Sequence, residues 1–436
     1  MIPTVYSLGG ASRLCCLQTQ KFKSSLLSVS SVLPIDPTAS PMTTLLLSVL
    51  RRGTEKYPTL AAINSRLDYL FGTELSIRNF YRGDSQIIGF GAELLDASYV
   101  PDGEELLDGI LEVMTEILFH PLLDGQGNLL EKYVESEKKL QCEAIRAQKN
   151  NPRAYAGERC RSLVYCDEPC GASPMGSEEQ IMRITPEELT RHWRALISSL
   201  RLDFFYVGRT APEELLGHLA PAFSPYVDPK AGEPLSLYRS VPRPKKQTLF
   251  VDEDLEVAQG QLLLALRTPV TLTEPEFWAC MLFSEILGAS PISKLFMNVR
   301  ERLGLCYHCS SSYNVYKGCV MISCGLEPSN RAQAQEEILL QIEQIRNGEI
   351  SDEELCAAVK SLQSLYRQLS DSPAAMENFY YGRMLAGLCA SAEEGIECFS
   401  RVTKEEIAQV ARECLLDTVY FLNGNATEGG EDDEED

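Results

Sequence analysis

Short apolar runs alternate with longer stretches of helical periodicity along most of this chain. Leu26 to Val32 and Gln261 to Leu266 read as strands bounded by polar residues, and each precedes an amphipathic stretch. Leu106, Ile110, Val113, Met114 and Ile117 recur at the three- and four-residue spacing that gives a helix one apolar face, as do Leu355, Val359, Leu362 and Leu365. Strands and helices in this order predict an α+β fold in which sheets are packed against helices.

The pattern occurs twice. Thr185-Pro-Glu-Glu-Leu189 opens a helical stretch that leads to apolar Phe204 to Val207 and Gly208, and Thr403-Lys-Glu-Glu-Ile407 leads in the same way to Val419 to Leu422 and Gly424. Each threonine has the position of a helix N-cap, with carboxylates in the first turn beside the positive end of the helix dipole. The separations are 232 residues from Phe71 to Leu303, 234 from Gly91 to Gly325, 221 from Asn151 to Ser372, 218 from Thr185 to Thr403 and 216 from Gly208 to Gly424. A slow drift of this kind is what a duplicated domain with modest insertions and deletions produces. The expected organisation is therefore a first domain over 1–225, a linker over 226–246 and a second domain over 247–436. The linker is rich in proline, with Pro229, Pro234, Pro242 and Pro244. The last six residues, 431–436, are all acidic and read as a solvated tail.

Of the 436 residues, 44% are hydrophobic, enough for a large core. With 62 acidic against 40 basic residues, the formal net charge of -22 argues against nucleic acid or anionic membrane surfaces as partners, because both require clustered cations. Met1 to Cys16 has no basic residue before Arg13 and no sustained apolar run, and no segment approaches the roughly 18 apolar residues of a membrane span, so a cytoplasmic protein is expected. The 15 cysteines are read as reduced thiols. Cys160, Cys166 and Cys170 lie close together in sequence, and Cys306-Tyr-His-Cys309 has C-x-x-C spacing. Strand alternation would put Cys306 and His308 on one side and Cys309 on the other, so both groups are read as structural cysteines rather than metal or redox sites.

A longer constellation carries more information. Leu50-Arg-Arg-Gly-Thr-Glu-Lys-Tyr-Pro58 is followed by Leu60, Asn64, Leu67 and Phe71-Gly72, then Glu143-Ala-Ile-Arg146, Asn150-Asn-Pro152, Pro169-Cys-Gly171 and Gly176-Ser-Glu178. Leu287-Gly288, Ser293-Lys-Leu-Phe296, Arg300-Glu301 and Gly304-Leu305 follow in the second half. In composition and order these segments resemble the insulinase, or processing-peptidase, superfamily of inverted zincins, over about residues 20–425. The resemblance implies two tandem homologous domains, each an antiparallel-rich sheet packed against helices. It also implies a helix carrying H-x-x-E-H, in which two histidines one turn apart bind zinc and the glutamate activates water, with a third ligand from a later helix. Registered on Gly53-Thr54, the motif falls on Thr44 to Ser48: Thr44 and Ser48 stand where the histidines would be, and Leu47 where the base would be. The later ligand position falls on Ala144, seven residues after Glu137. The four histidines, His120, His192, His218 and His308, form no such pair elsewhere. A leucine moves no proton, and two hydroxyls are poor zinc ligands.

The same resemblance marks Arg300 and Tyr307 as positions that approach peptide substrate from the second domain, and Gly288 and Ser290 as part of a substrate-handling loop. A surface ion pair for Arg300, strand packing for Tyr307 and a simple turn for Gly288 and Ser290 are the structural alternatives. Half-length members of the superfamily associate so that four domains enclose a peptide chamber, and in some pairs one subunit carries zinc while the other supplies the arginine and tyrosine. The expectation is a non-catalytic subunit without metal or cofactor of its own, paired with a zinc-bearing homologue and binding peptide. Two alternatives stay open: an active metallopeptidase using Glu137, Glu143 and cysteines, and a homodimeric peptide-binding scaffold.

Overall fold

The structure is a computed structural model that describes residues 2–9, 12–100, 105–226, 235–238 and 244–424. The acidic tail and most of the 226–246 segment lie outside the described residues. In chain order the first half comprises β1 (Thr4–Gly9), β2 (Ser12–Gln18), β3 (Ser24–Pro34), α1 (Ala39–Leu50), α2 (Leu60–Tyr69), β4 (Glu74–Arg82), β5 (Ser85–Leu95), α3 (Glu105–Phe119), α4 (Glu131–Ala147), α5 (Pro152–Val164), α6 (Glu178–Arg183), α7 (Pro186–Ser198), β6 (Asp203–Gly208) and α8 (Pro212–Phe223). The second half comprises β7 (Leu249–Leu255), β8 (Gly260–Arg267), α9 (Phe277–Ser284), β9 (His308–Asn314), β10 (Cys319–Leu326), α10 (Arg331–Arg346), α11 (Asp352–Gln368), α12 (Pro373–Leu385), α13 (Ala392–Phe399), α14 (Lys404–Glu413) and β11 (Leu415–Gly424). Among the described residues no helix is long and apolar enough to cross a membrane.

The repeat read from the sequence is a repeat of sheet topology. One sheet has the order β1-β2-β6-β3-β5-β4 and the other β7-β11-β8-β10-β9. Leaving aside β1, each has one parallel join, β2 to β6 or β7 to β11, followed by antiparallel neighbours. The two threonines are N-caps as expected: Thr185 accepts from the Glu188 backbone and Thr403 from the Glu406 backbone, and both glutamates close the reciprocal capping box.

A buried charge pair is repeated as well. Asp203, at the start of β6, takes two hydrogen bonds from Arg13 on β2 at 2.7 and 3.0 Å. Asp417, on β11, receives Lys245 Nζ at 2.9 Å and the Lys245 backbone N–H at 2.8 Å. Both aspartate side chains are fully buried. Burying a carboxylate is costly unless a cation and directed donors replace its water. Each pair therefore holds the parallel join of its sheet at one position.

The chain gathers into two compact units that depart from a division at 1–225 and 247–436. One unit is Met1–Arg146, Glu168–Ser240 and Gln368–Ala392; the other is Ala147–Asp167, Val241–Arg367 and Glu393–Asp436. The two halves have exchanged a helix. Helix α5 lays Ala156, Cys160 and Val164, spaced four apart, on β8 and β11, whereas α12 packs against β3 and β6. Both begin the same way, with Asn151 or Ser372 capping a helix whose first residue is proline. Tyr381 of α12 meets Phe205 edge to face, with centroids 6.2 Å apart, and Glu377 accepts from Ser28 Oγ and pairs with Arg78 at 2.7 Å. Parts of the expected linker are also docked. The Leu235 carbonyl accepts from Arg13 at 2.7 Å, and Leu237 N–H donates to the Leu385 carbonyl at 3.0 Å.

One detail of the periodicity needed correction. The α11 face is Ala358, Leu362 and Tyr366, with Leu355 and Val359 half-buried and Leu365 exposed. The aromatic residue takes the core position because Tyr366 stacks edge to face on Phe399 at 5.0 Å. Gly91, a landmark of the repeat, lies inside a strand that runs on to Leu95.

Replacing Glu377 by alanine leaves Arg78 largely buried without its carboxylate, which should cost about 3–5 kcal/mol. Urea denaturation is expected to show this as a lowered midpoint, with Glu377→Gln intermediate; an unchanged midpoint would contradict the packing of α12. Thr185→Ala and Thr403→Ala should each lose about 1 kcal/mol by the same measurement, and Thr→Ser at either position should lose little.

Candidate functional site

Just before helix α1, the Asp36 carboxylate accepts the N–H groups of Thr38 and Ala39 at 2.8 and 2.7 Å while its own N–H donates to Ser40 Oγ at 3.1 Å. From there Leu45, Leu46, Leu47, Val49 and Leu50 fill the core. Leu47, 1% exposed, lines an apolar cavity with Val29, Ile88, Leu118 and Trp193. The position the resemblance gives to a catalytic base is thus filled by hydrocarbon.

Thr44 and Ser48, one turn apart, share the other face. Thr44 Oγ1 donates within a neutral network: it lies 2.6 Å from the Pro174 carbonyl and 3.1 Å from that of Ser40, and it accepts from Asn79 Nδ2 at 2.8 Å. Asn79 Oδ1 in turn accepts from Gln86 at 2.8 Å. On the neighbouring Thr43, Oγ1 lies 2.8 Å from His192 Nε2, and burial lowers the affinity of that imidazole for a proton.

Helix α4 faces this surface. Arg52, one turn beyond Ser48, pairs with Glu137 at 3.3 Å, and Gln141 donates to the Met175 carbonyl at 2.8 Å, next to the carbonyl that Thr44 uses. Glu137, Gln141 and Ala144 follow one another at helical spacing along this side, Ala144 being exposed. Burial raises the Glu137 pKa and Arg52 opposes it. Glu143 stands about 240° around the helix from Glu137, so the two cannot hold one ion together. Among the described residues two groups of three possible ligand atoms lie within 4.8 Å of one another, Cys306 with Cys309 and Cys324, and Asp84 with Glu168 and Cys170. Neither includes a residue of α1 or α4. The α1–α4 surface carries the hydroxyl, amide and carbonyl network around Thr44 together with the Arg52–Glu137 pair, and Leu47 offers no group able to take a proton from water.

In the second half Gly288 is buried where the chain passes close to β9. A Cβ there would lie 2.6 Å from the Ser311 backbone nitrogen and 2.9 Å from Leu295, which gives this glycine a packing role. Ser290 ends the wide helical turn Glu285–Ala289 and is half-buried, its carbonyl accepting from Ser293 at 3.1 Å. Arg300 is exposed on the turn Phe296–Arg302, 4.8 Å over the Phe296 ring and 3.7 Å from Glu301. Tyr307 is 52% exposed just before β9 and donates its hydroxyl to Glu327, a bond that raises its pKa and keeps the phenol protonated.

The cysteines differ from the expected alternation. Strand β9 begins only at His308, so Cys306 lies ahead of the alternating segment and its sulfur joins those of Cys309 and Cys324. Hydrogen bonds from Cys309 and Cys324 hold the Cys306 thiol well below its ordinary pKa, with His308 and Arg300 adding to the effect and burial opposing it.

Sequence reasoning missed Asn79, Gln86 and Gln141, and it named Glu137 without its ion pair to Arg52. The available signal was polarity at interior positions: Gln86 is 1% exposed inside a strand of apolar residues, and Glu137 and Gln141 sit on the buried side of a charged helix.

A family profile described as the peptidase M16 inactive domain matches residues 183–362. A Bacillus subtilis protein named probable inactive metalloprotease YmfF is 28% identical over 413 residues, covering 95% of each chain. A second protein of that organism, named uncharacterized zinc protease YmxG, is 20% identical and covers 83% of this chain and 87% of its own length. Among solved structures, a conserved protein from Enterococcus faecalis V583 superposes with a TM-score of 0.89 at 24% identity, covering 98% of this chain and all of its own. A peptidase M16 inactive domain from Pseudomonas fluorescens gives 0.80 at 18% identity, with the same coverage. Similarity over nearly the full length, the shared fold and the order of the segments around α1 and α4 relate the chain to insulinase-type, M16, peptidases, with the inactive-domain profile matching residues 183–362.

Proposed function

We propose that this chain is a non-catalytic subunit of a cytoplasmic zinc peptidase, one that binds peptide and completes the active site of a zinc-bearing homologue. The observation that carries the reading is the contrast between the two halves. On α1, Thr44 is held in a neutral network and Leu47 is sealed in the core. In the second half Arg300 and Tyr307 remain exposed. An arginine can hold a peptide carbonyl or carboxylate, and a protonated phenol can donate to an oxyanion once it leaves Glu327. Bacillus subtilis, which has a relative named probable inactive, also has a relative named a zinc protease, and this agrees with a division of labour between homologues.

The reading assigns no zinc to the α1–α4 surface and no peptidase activity to the isolated chain. The alternative that recruits Glu137 and Glu143 is disfavoured, because Arg52 engages the first and the second points elsewhere on α4.

The test is co-expression with a homologue from the same genome that carries H-x-x-E-H, followed by sizing and peptide cleavage. A mixed complex with activity that neither chain has alone is expected. In that complex, Arg300→Ala or Tyr307→Phe in this chain should reduce kcat/KM by roughly 10²–10³-fold, the usual effect of removing one oxyanion donor. Chelator-sensitive cleavage by the isolated chain would overturn the reading, and so would stable self-association that never admits the homologue.

A further inference from the structure

The cluster of Cys306, Cys309 and Cys324 has no part in the function proposed above. Cys309 and Cys324 are direct cross-strand partners in the β9–β10 register. Both are buried, at 5% and 0% exposure. Cys306 comes to them from outside the strand. The chain ahead of β9 is fixed by the bond from Tyr307 N–H to the Gly325 carbonyl, 2.8 Å, which brings the half-buried Cys306 over the cross-strand pair. The three sulfurs lie within 4.8 Å of one another.

Packing alone does not account for this arrangement. A disulfide would use two of the sulfurs and leave the third idle. Three converging sulfurs, two from a C-x-x-C segment and one from the adjacent strand, match the donor set of a thiophilic cation. The dimensions agree: with Zn–S bonds of about 2.3 Å, thiolates at tetrahedral angles stand about 3.8 Å apart. His308 is not the fourth donor. Its ring lies against Gly325, where a Cβ would be 2.3 Å from Cε1, and strand alternation turns it to the face opposite Cys309.

We infer that Cys306, Cys309 and Cys324 form a three-thiolate site for a thiophilic divalent cation of the Zn²⁺ type, with water as the fourth ligand on the side where Cys306 meets solvent. The ligands are thiolates, so binding releases whatever protons the sulfurs still hold, and uptake strengthens with pH. Because the ligands come from β10, the start of β9 and the turn before it, the ion would fasten the edge strand β9 to the sheet. It lies outside α1 and α4 and supplies no peptidase chemistry.

The experiment uses the full-length chain, reduced and stripped of metal, and titrates it with Zn²⁺ against a chromophoric chelator; Co²⁺ serves as the spectroscopic probe. One ion per chain is expected, with thiolate-to-Co²⁺ charge-transfer absorption of an intensity appropriate to three sulfurs, and with three thiols protected from alkylation. Cys306→Ser, a change at the half-buried position, should weaken binding by more than about a hundredfold, since loss of an outer-shell partner alone costs as much as that. Cys324→Ala is the second variant, checked for folding by circular dichroism. The inference is overturned if Cys306→Ser binds as tightly as the parent, if the charge-transfer band is missing, or if Cys309 and Cys324 prove to be a disulfide in the purified chain. None of these readouts depends on peptide cleavage, so this inference and the proposed subunit role can fail separately.

Discussion

The central strands of both sheets are buried on both faces. Along β6 and β8 every residue is buried, and in β3 the buried run extends from Ser25 to Val32. A strand of this kind needs cover above and below, and the helices that follow each sheet in sequence do not supply it all. The missing layer comes from the opposite half of the chain, α12 on β3 and β6 and α5 on β8 and β11. Much of the rest follows from that requirement. The buried carboxylates Asp203 and Asp417 need Arg13 and Lys245 because water cannot reach them, and Glu377 is tolerated in an apolar layer because Arg78 is there to meet it.

The sequence made the repeat legible because its signals are local. A threonine with a glutamate three residues on is a capping box wherever it occurs, and Thr185 and Thr403 both form one. The exchange of α5 and α12 was not legible, because Asn151-Pro152 and Ser372-Pro373 say where helices start and nothing about which sheet receives them. The same limit explains Cys306. Alternation is a valid rule inside a strand, but the residue at which β9 begins is set by the bond from Tyr307 to Gly325, a contact between residues 18 positions apart in the chain.

At the zinc position that the resemblance implies, the residues Thr44, Leu47 and Ser48 could be named from a register on Gly53-Thr54. The network around Thr44 could not. Thr44, Asn79 and Gln86 come from α1, β4 and β5, and their amides and hydroxyls form a chain only because the strand pairing places Asn79 and Gln86 beside the helix. Networks of this sort fix side chains in place when every member is satisfied. The surface is accordingly an ordered polar structure in its own right, built from different residues than a metal would require.

Leu47 limits which side chains this helix can accept. Restoring two histidines on α1 would be a pair of changes near an already polar surface. A glutamate at Leu47 would instead enter a cavity lined by Val29, Ile88, Leu118 and Trp193, where its charged form is strongly disfavoured and it would stay protonated, unable to act as a base. Only after those surrounding residues had opened the cavity could an introduced glutamate act as a base, and each of those steps taken first would weaken the core. The packing around a single leucine thus keeps a working acid out of this turn of α1.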